Sequence, residues 1–247
     1  MALEPYSSQS ARSQVALKTA DAMLSLLDNI MWNCLSGPHA KYATGEGAIR
    51  RYAPGFSPII GCEDPHHPDF ATLEKYCEPG DCFYTDIWSG PAPAGWTIDK
   101  DARMWKMVWD APKPSVDAAP DAIPLRPEHA SQAVELANLT HPGPFGIRTP
   151  ELGDYFAYFD GGRLIAMAGE RLCAGELREV SGVCTHPDFQ GRGLARKLTL
   201  KLVYRQMHRG MTSFLHVVST NEAARGLYEK MGFRNYRETP VRVITRL

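Results

Sequence analysis

Nowhere in this 247-residue sequence does an apolar run approach the roughly 20 residues a membrane-spanning helix requires. The longest candidate, Ala22 to Leu35, is interrupted by Asp28 and Asn29, and no membrane partner is expected. An excess of charge is also missing. Lys and Arg number 27 against 28 Asp and Glu, a net charge of −1. That balance removes the electrostatic motive for binding nucleic acid over the whole surface. The N-terminal stretch from Met1 to Gln14 is polar and lacks the apolar segment of a secretory leader. Six cysteines (Cys34, Cys62, Cys77, Cys82, Cys173, Cys184) contain no CxxC pair, so a disulfide framework is not expected and the cytoplasm is the expected compartment. Cys62, His66, His67, Cys77 and Cys82 come nearest to a zinc set, but their spacing matches no standard site and no metal is expected. What the chain does have is 44% hydrophobic and 10% aromatic residues, enough apolar surface for a core.

The clearest break is Ala111 to Pro124, whose four prolines exclude helix and central strand and favour an extended linker. It divides the chain into residues 1–115 and 116–247. In the first part, Met23, Leu26, Leu27, Ile30, Met31 and Cys34 recur at three- and four-residue steps and predict one amphipathic helix over Ala22 to Leu35. A short helix is predicted over Phe70 to Cys77, and strands over Cys82 to Trp88 and Met104 to Trp109. No chemical signature accompanies this mixed α/β layer. In the second part, strands are predicted at Ile123 to Arg126, Tyr155 to Phe159, Leu164 to Leu172, Leu177 to Thr185, Ser213 to Val218 and Arg234 to Thr245. Helices are predicted at Glu128 to Leu139, Gly191 to His208 and Glu222 to Met231. An α/β fold with a central mixed sheet and helices on both faces follows.

The informative segment is Glu179 to Lys197, where a strand ends at Thr185 and Gln190-Gly191-Arg192-Gly193-Leu194-Ala195 opens a helix. Exposed backbone N–H groups at such a helix start make an anion site, and glycines let a ligand approach the backbone. A phosphate-binding Walker loop would continue Gly-Lys-Ser/Thr, whereas Leu194-Ala195 follows Gly193 here. A dinucleotide fingerprint counted from Gly191 would want Gly or Ala where Arg196 stands, and no acidic residue follows until Glu222.

Gln190, Gly193 and Ala195 match every specified position of Gln/Arg-x-x-Gly-x-Gly/Ala, the acyl-CoA loop of the GNAT acetyltransferase superfamily. The run Asn221-Glu222-Ala223-Ala224-Arg225-Gly226-Leu227-Tyr228-Glu229-Lys230-Met231-Gly232-Phe233 resembles that family's other signature, and it follows a strand in the expected order. Its physical logic stands apart from the resemblance. Asn221 is a helix cap, Ala224, Leu227 and Tyr228 share one helical face, and Gly232 suits the left-handed closing position. The resemblance covers Ile123 to Leu247. It implies a fold in which two central strands, those containing Val183 and Phe214 to Val218, splay apart around a pantetheine arm. Gly182 suits a bulge or a close approach in the first of them. The 1–115 region is expected to wall the acceptor pocket, either as a diverged copy of the same fold or otherwise, with Trp88, Trp96, Trp105 and Trp109 as candidate wall or core residues.

The resemblance implies acetyl-CoA as donor. Val183, Cys184, Thr185, Gln190, Gly191, Arg192, Gly193, Leu194, Ala195, Arg196, Asn221 and Tyr228 would contact it, with the Gly191 to Arg196 amides on the pyrophosphate. Tyr228 would protonate the leaving thiolate. Glu179 resembles the general base of the family's histone-acetylating branch, with partial burial expected to raise its pKa. Cys184, two residues before His186, reads as core rather than nucleophile. Lys197, Lys201 and Arg205 read as a solvated stripe on the helix. The expected activity is N-acyl transfer to a small-molecule or protein amine. The alternatives are a non-catalytic CoA-binding sensor and a protein-interaction module.

Overall fold

The computed structural model describes residues 21–247, and the polar stretch Met1 to Gln14 lies outside them. Strands are β1 (Ala43–Thr44), β2 (Ile49–Tyr52), β3 (Ile60–Cys62), β4 (Cys82–Asp86), β5 (Trp96–Trp109), β6 (Ile123–Pro124), β7 (Tyr155–Asp160), β8 (Arg163–Ala174), β9 (Leu177–Thr185), β10 (Thr212–Val218) and β11 (Phe233–Arg246). Helices are α1 (Ile30–Leu35), α2 (Phe70–Glu74), α3 (Ala130–Thr140), α4 (Leu194–His208) and α5 (Glu222–Met231). Strands β1 to β3 form a small antiparallel sheet, and the others form an eight-stranded sheet in the order β4-β11-β5-β10-β9-β8-β7-β6. Every neighbour pair in the large sheet is antiparallel except β9 and β10. Those two are parallel because α4 carries the chain from one to the other, the crossover a parallel pair requires.

Strand β5 lies between β10 and β11 and pairs with both, so residues before the proline-rich segment complete the sheet built by residues after it. The division at 115/116 therefore marks the order of the chain and not two separate cores. The segment forms no helix and, before Ile123, no strand, as its prolines dictate, but it bends and turns rather than running extended, and it is held down. Lys201 donates to the Asp117 carboxylate at 2.6 Å and to the Ala119 carbonyl at 2.9 Å, and Ala119 is fully buried. The solvated stripe expected on α4 is corrected accordingly: Lys201 is buried, and Arg205 pairs with Asp154 at 3.0 Å.

Two apolar layers cover the sheet. On one face Leu27, Ile30, Cys34 and Leu35 pack with Tyr52 and Phe56 against Leu172, Leu177 and Phe214. On the other, Leu198, Leu202 and Val203 of α4 pack against Ala166, Val180, Leu215 and Val217. The single helix expected over Ala22 to Leu35 is interrupted by a 3-10 turn at Leu26–Asn29. Asn29 turns its side-chain amide to the carbonyls of Cys62 and Glu63, a competing use that ends the regular helix there. Strand β5 begins at Trp96, eight residues before the expected Met104, because its mostly polar first half is held by pairing with β11 and anchored by Trp96 among Phe70, Phe83 and Trp88.

Lys106, midway along β5, is fully buried with its ammonium 2.8 Å from Asp86 and 2.7 Å from the Leu27 carbonyl. Removing one partner of a buried pair strands the other charge. Lys106→Met should destabilise the fold by about 3–5 kcal/mol, a Tm loss of roughly 6–20 °C for a chain of this size. Thermal unfolding followed by circular dichroism measures it. A Lys106→Met/Asp86→Leu double variant should recover most of the loss, and equal Tm for wild type and single variant would refute the pair's role.

Candidate active site

Strands β9 and β10 pair only from Leu177–Glu179 with Thr212–Phe214, then part company. The cause lies in β9. Gly182 adopts φ +61°, and opposite it the β8–β9 register slips, so the strand bulges and bends away from its neighbour. The expected splay and the expected bulge are both present. Between the parted strands lies a cavity of about 470 Å³ that reaches Val183 on β9, His216 on β10, and Asn221 and Tyr228 at α5. Met31, Ile59, Tyr84 and Met104, all from the first part of the chain, line its other side. Of the four tryptophans named as candidate wall residues, none lines the cavity, and Trp88, Trp96 and Trp109 are buried in the core.

Glu179 sits where the strands separate, and its surroundings overturn the expectation of a raised pKa. Burial alone would raise its carboxyl. The Arg171 guanidinium and His216 outweigh burial and hold it well below the ordinary glutamate range. Arg171 donates through Nε and Nη2 at 3.0 and 2.7 Å, the Leu172 N–H donates at 3.1 Å, and His216 Nδ1 lies 2.7 Å from Oε1. With its acceptor positions occupied, Glu179 is a fixed anion and a poor proton acceptor.

That anion sets the tautomer of His216. A carboxylate only accepts, so Nδ1 donates at this contact, and Nε2 is the nitrogen left to carry a lone pair. Nε2 is buried without a hydrogen-bond partner, on a residue that lines the cavity. A buried polar atom left unpaired is costly, and in a cavity it marks a place for a ligand group. His216 was not found by sequence reasoning because a single histidine within Ser213-Phe-Leu-His-Val-Val218 reads as an ordinary strand residue. Arg171 likewise sits in an apolar run. Only their meeting with Glu179 across three strands makes them a site.

The cavity gathers four of the expected site residues: Glu179, Val183, Asn221 and Tyr228. Asn221 caps α5 by accepting from the Ala224 N–H at 3.1 Å, and Gly232 closes that helix in the left-handed region at φ +119°. Burial pushes the Tyr228 phenol up to about 12, so it stays protonated at neutral pH. Cys184 and Thr185 do not line the cavity. The Cys184 thiol packs beside Ala133, Leu136 and Met167, and burial pushes it up to about 11, against a nucleophilic role. Gln190 to Arg196 form the loop and first turn ahead of the body of α4. The regular helix starts at Leu194 and not at Gly191, because Gly191 and Gly193 take φ +76° and +73°. No side chain caps this helix, and nothing lies within 4 Å of where a Cβ would stand on either glycine. The first-turn N–H groups therefore face open space, flanked by exposed Arg192 and Arg196.

The FR47-like protein family matches residues 158–243. A crystal structure of a GNAT-family protein from Novosphingobium aromaticivorans superposes with a TM-score of 0.82 at 32% identity, covering 90% of this chain and 98% of that one. The chain belongs to the GNAT family. Two further structures share the fold: a GCN5-related N-acetyltransferase-like protein from Streptococcus suis (TM-score 0.56, 14% identity, 92% of this chain and 99% of that one) and a GCN5-related N-acetyltransferase from Kribbella flavida (0.54, 15%, 87% and 95%). No curated protein matches by sequence. Membership in the GNAT family extends over both sides of the proline-rich segment, since the 32% identical structure is covered almost entirely. Among the described residues no helix is long and apolar enough to cross a membrane.

Proposed function

We propose that this GNAT protein transfers an acetyl or other short acyl group from CoA to an amine by direct attack in a ternary complex. The observation that carries the reading is the unpartnered His216 Nε2, buried and fixed in the cavity between the parted strands. Amine acylation needs a proton acceptor, a donor for the departing thiolate, and a place for the donor's phosphates. His216 supplies the first, oriented by the Glu179 anion as a histidine base requires. Tyr228 supplies the second, its phenol protonated and within the same cavity. The open first turn of α4, with Gly191, Gly193, Arg192 and Arg196, suits the CoA diphosphate, because uncapped N–H groups at a helix start attract anions. The unpaired edge of β9 at Val183 can donate to the thioester carbonyl.

Release of CoA thiol on adding each member of a panel of small amines, amino acids and lysine peptides, with acetyl-CoA as donor, tests the reading. Turnover with at least one amine supports it. Tight acetyl-CoA binding with no turnover across the panel favours a CoA-binding sensor.

The donor site has its own test. Gly193→Glu places a carboxylate and a side chain where a phosphate would sit, on a backbone at φ +73° that side chains avoid. Calorimetric titration with acetyl-CoA should show affinity reduced at least tenfold, with Tm lowered by only a few degrees, because the side chain meets open space and one left-handed residue costs about 1–2 kcal/mol. Undiminished affinity would remove this turn from the donor site.

A further inference from the structure

Away from the cavity, three soft donors converge inside the first apolar layer. Cys34 lies on α1, His39 in the turn after it, and Cys173 near the end of β8, more than 130 residues further on. Their Sγ, Nε2 and Sγ atoms all lie within 4.8 Å of one another, and all three residues are buried. We propose that Cys34, His39 and Cys173 form a binding site for a thiophilic metal ion, zinc first among them, that ties the α1 layer to β8.

The geometry of the donors suits such an ion. Around zinc with bonds of about 2.3 Å to sulfur and 2.05 Å to nitrogen, tetrahedral angles put S and N about 3.6 Å apart. The Cys173 Sγ to His39 Nε2 distance is 3.3 Å, so a small opening of the pair admits the ion. The ring is already oriented for it. Tyr52 Oη lies 2.7 Å from His39 Nδ1, occupying the nitrogen that faces away from the thiols and leaving Nε2 turned to them. Metal-bound histidines have such an outer partner on the second nitrogen. Cys34 Sγ accepts the Cys173 backbone N–H at 3.3 Å and lies 3.6 Å from Tyr52 Oη, contacts that hold the sulfur in place beside the other two donors. Two thiolates and an imidazole select zinc or copper(I) over magnesium or calcium. The three ligands leave one tetrahedral position for water. His39 and Cys173 are 5% and 7% exposed, so the cluster lies close beneath the surface. The site lies two residues along β8 from Arg171, so an ion there would also fix the strand that anchors Glu179.

Cobalt(II) added to the fully reduced wild-type chain is the first probe. The expected result is a near-ultraviolet thiolate-to-cobalt charge-transfer band at one equivalent, erased by zinc(II), and absent in Cys173→Ser and Cys34→Ser. Cys82→Ser, at the exposed cysteine, should keep the band. Because the buried variants can fail to fold, the wild-type chain is also alkylated with and without zinc(II) and mapped by mass spectrometry. Zinc should slow labelling of Cys34 and Cys173 at least tenfold and leave Cys62, Cys77, Cys82 and Cys184 unchanged. A folded wild type with no charge-transfer band, or one whose labelling of Cys34 and Cys173 ignores zinc, overturns the proposal. Acyl transfer is not part of either readout.

Discussion

His216→Gln should lower kcat/KM by roughly 10²–10⁴-fold, the usual size of a general-base effect, while the fold and the Glu179 anchor persist. Glutamine can still donate from its amide to Glu179, but it offers no basic nitrogen. An amine attacks only when neutral, and a free alkylammonium has a pKa near 10.4, so at neutral pH a proton must leave. The groups that face the imidazole are Glu179 on β9 and, beyond Glu179, Arg171 on β8, with Lys106 opposite on β5. In His216→Gln no protein base remains, so the residual rate should follow the neutral fraction of the amine and rise steadily with pH. Glu179→Gln should give a partial loss, together with a lower Tm because Arg171 is left buried without its anion. If His216→Gln keeps the wild-type rate, the proton goes elsewhere and His216 is only a strand residue.

Tyr228→Phe should lower kcat by a comparable roughly 10²–10⁴-fold, with acetyl-CoA affinity nearly unchanged. Burial keeps the phenol protonated at neutral pH, which is the state a donor to a thiolate must hold. The ring also packs edge-on against Phe233, and phenylalanine preserves that contact, so Tm should move little. The discriminating measurement is the leaving-group dependence. A thioester with a more acidic thiol needs less protonation, and the variant's deficit should shrink with it. A constant deficit across donors would make Tyr228 a packing residue.

The C-terminal elements were legible because they are written in local chemistry. Asn221 at a cap and Gly232 at a left-handed close fix α5 within a dozen residues, and two glycines of positive φ fix the turn before α4. Gly182 was readable as a bulge for the same reason. The N-terminal part was not legible in this way. Strands β1 to β3 are two to four residues long, and the first half of β5 is polar, so neither shows a period. Their pairing partners, and not their own pattern, make them strands.

By itself, then, the sequence determined the GNAT signatures, the order of elements after Pro124 and the glycine-opened turn, because each depends on residues within one or two turns of backbone. Tertiary structure alone decided the rest. It placed β5 inside the sheet, turned Lys201 from a solvated charge into an anchor for the proline-rich segment, and made Glu179 a saturated anion instead of a base. It also set His216 beside that anion and brought Cys34 and His39 to Cys173. The physical reason is common to all of these: a carboxylate's basicity, a lysine's solvation and a thiol's partners are fixed by the charges and dipoles within a few ångströms. In a folded sheet those neighbours come from strands far apart along the chain.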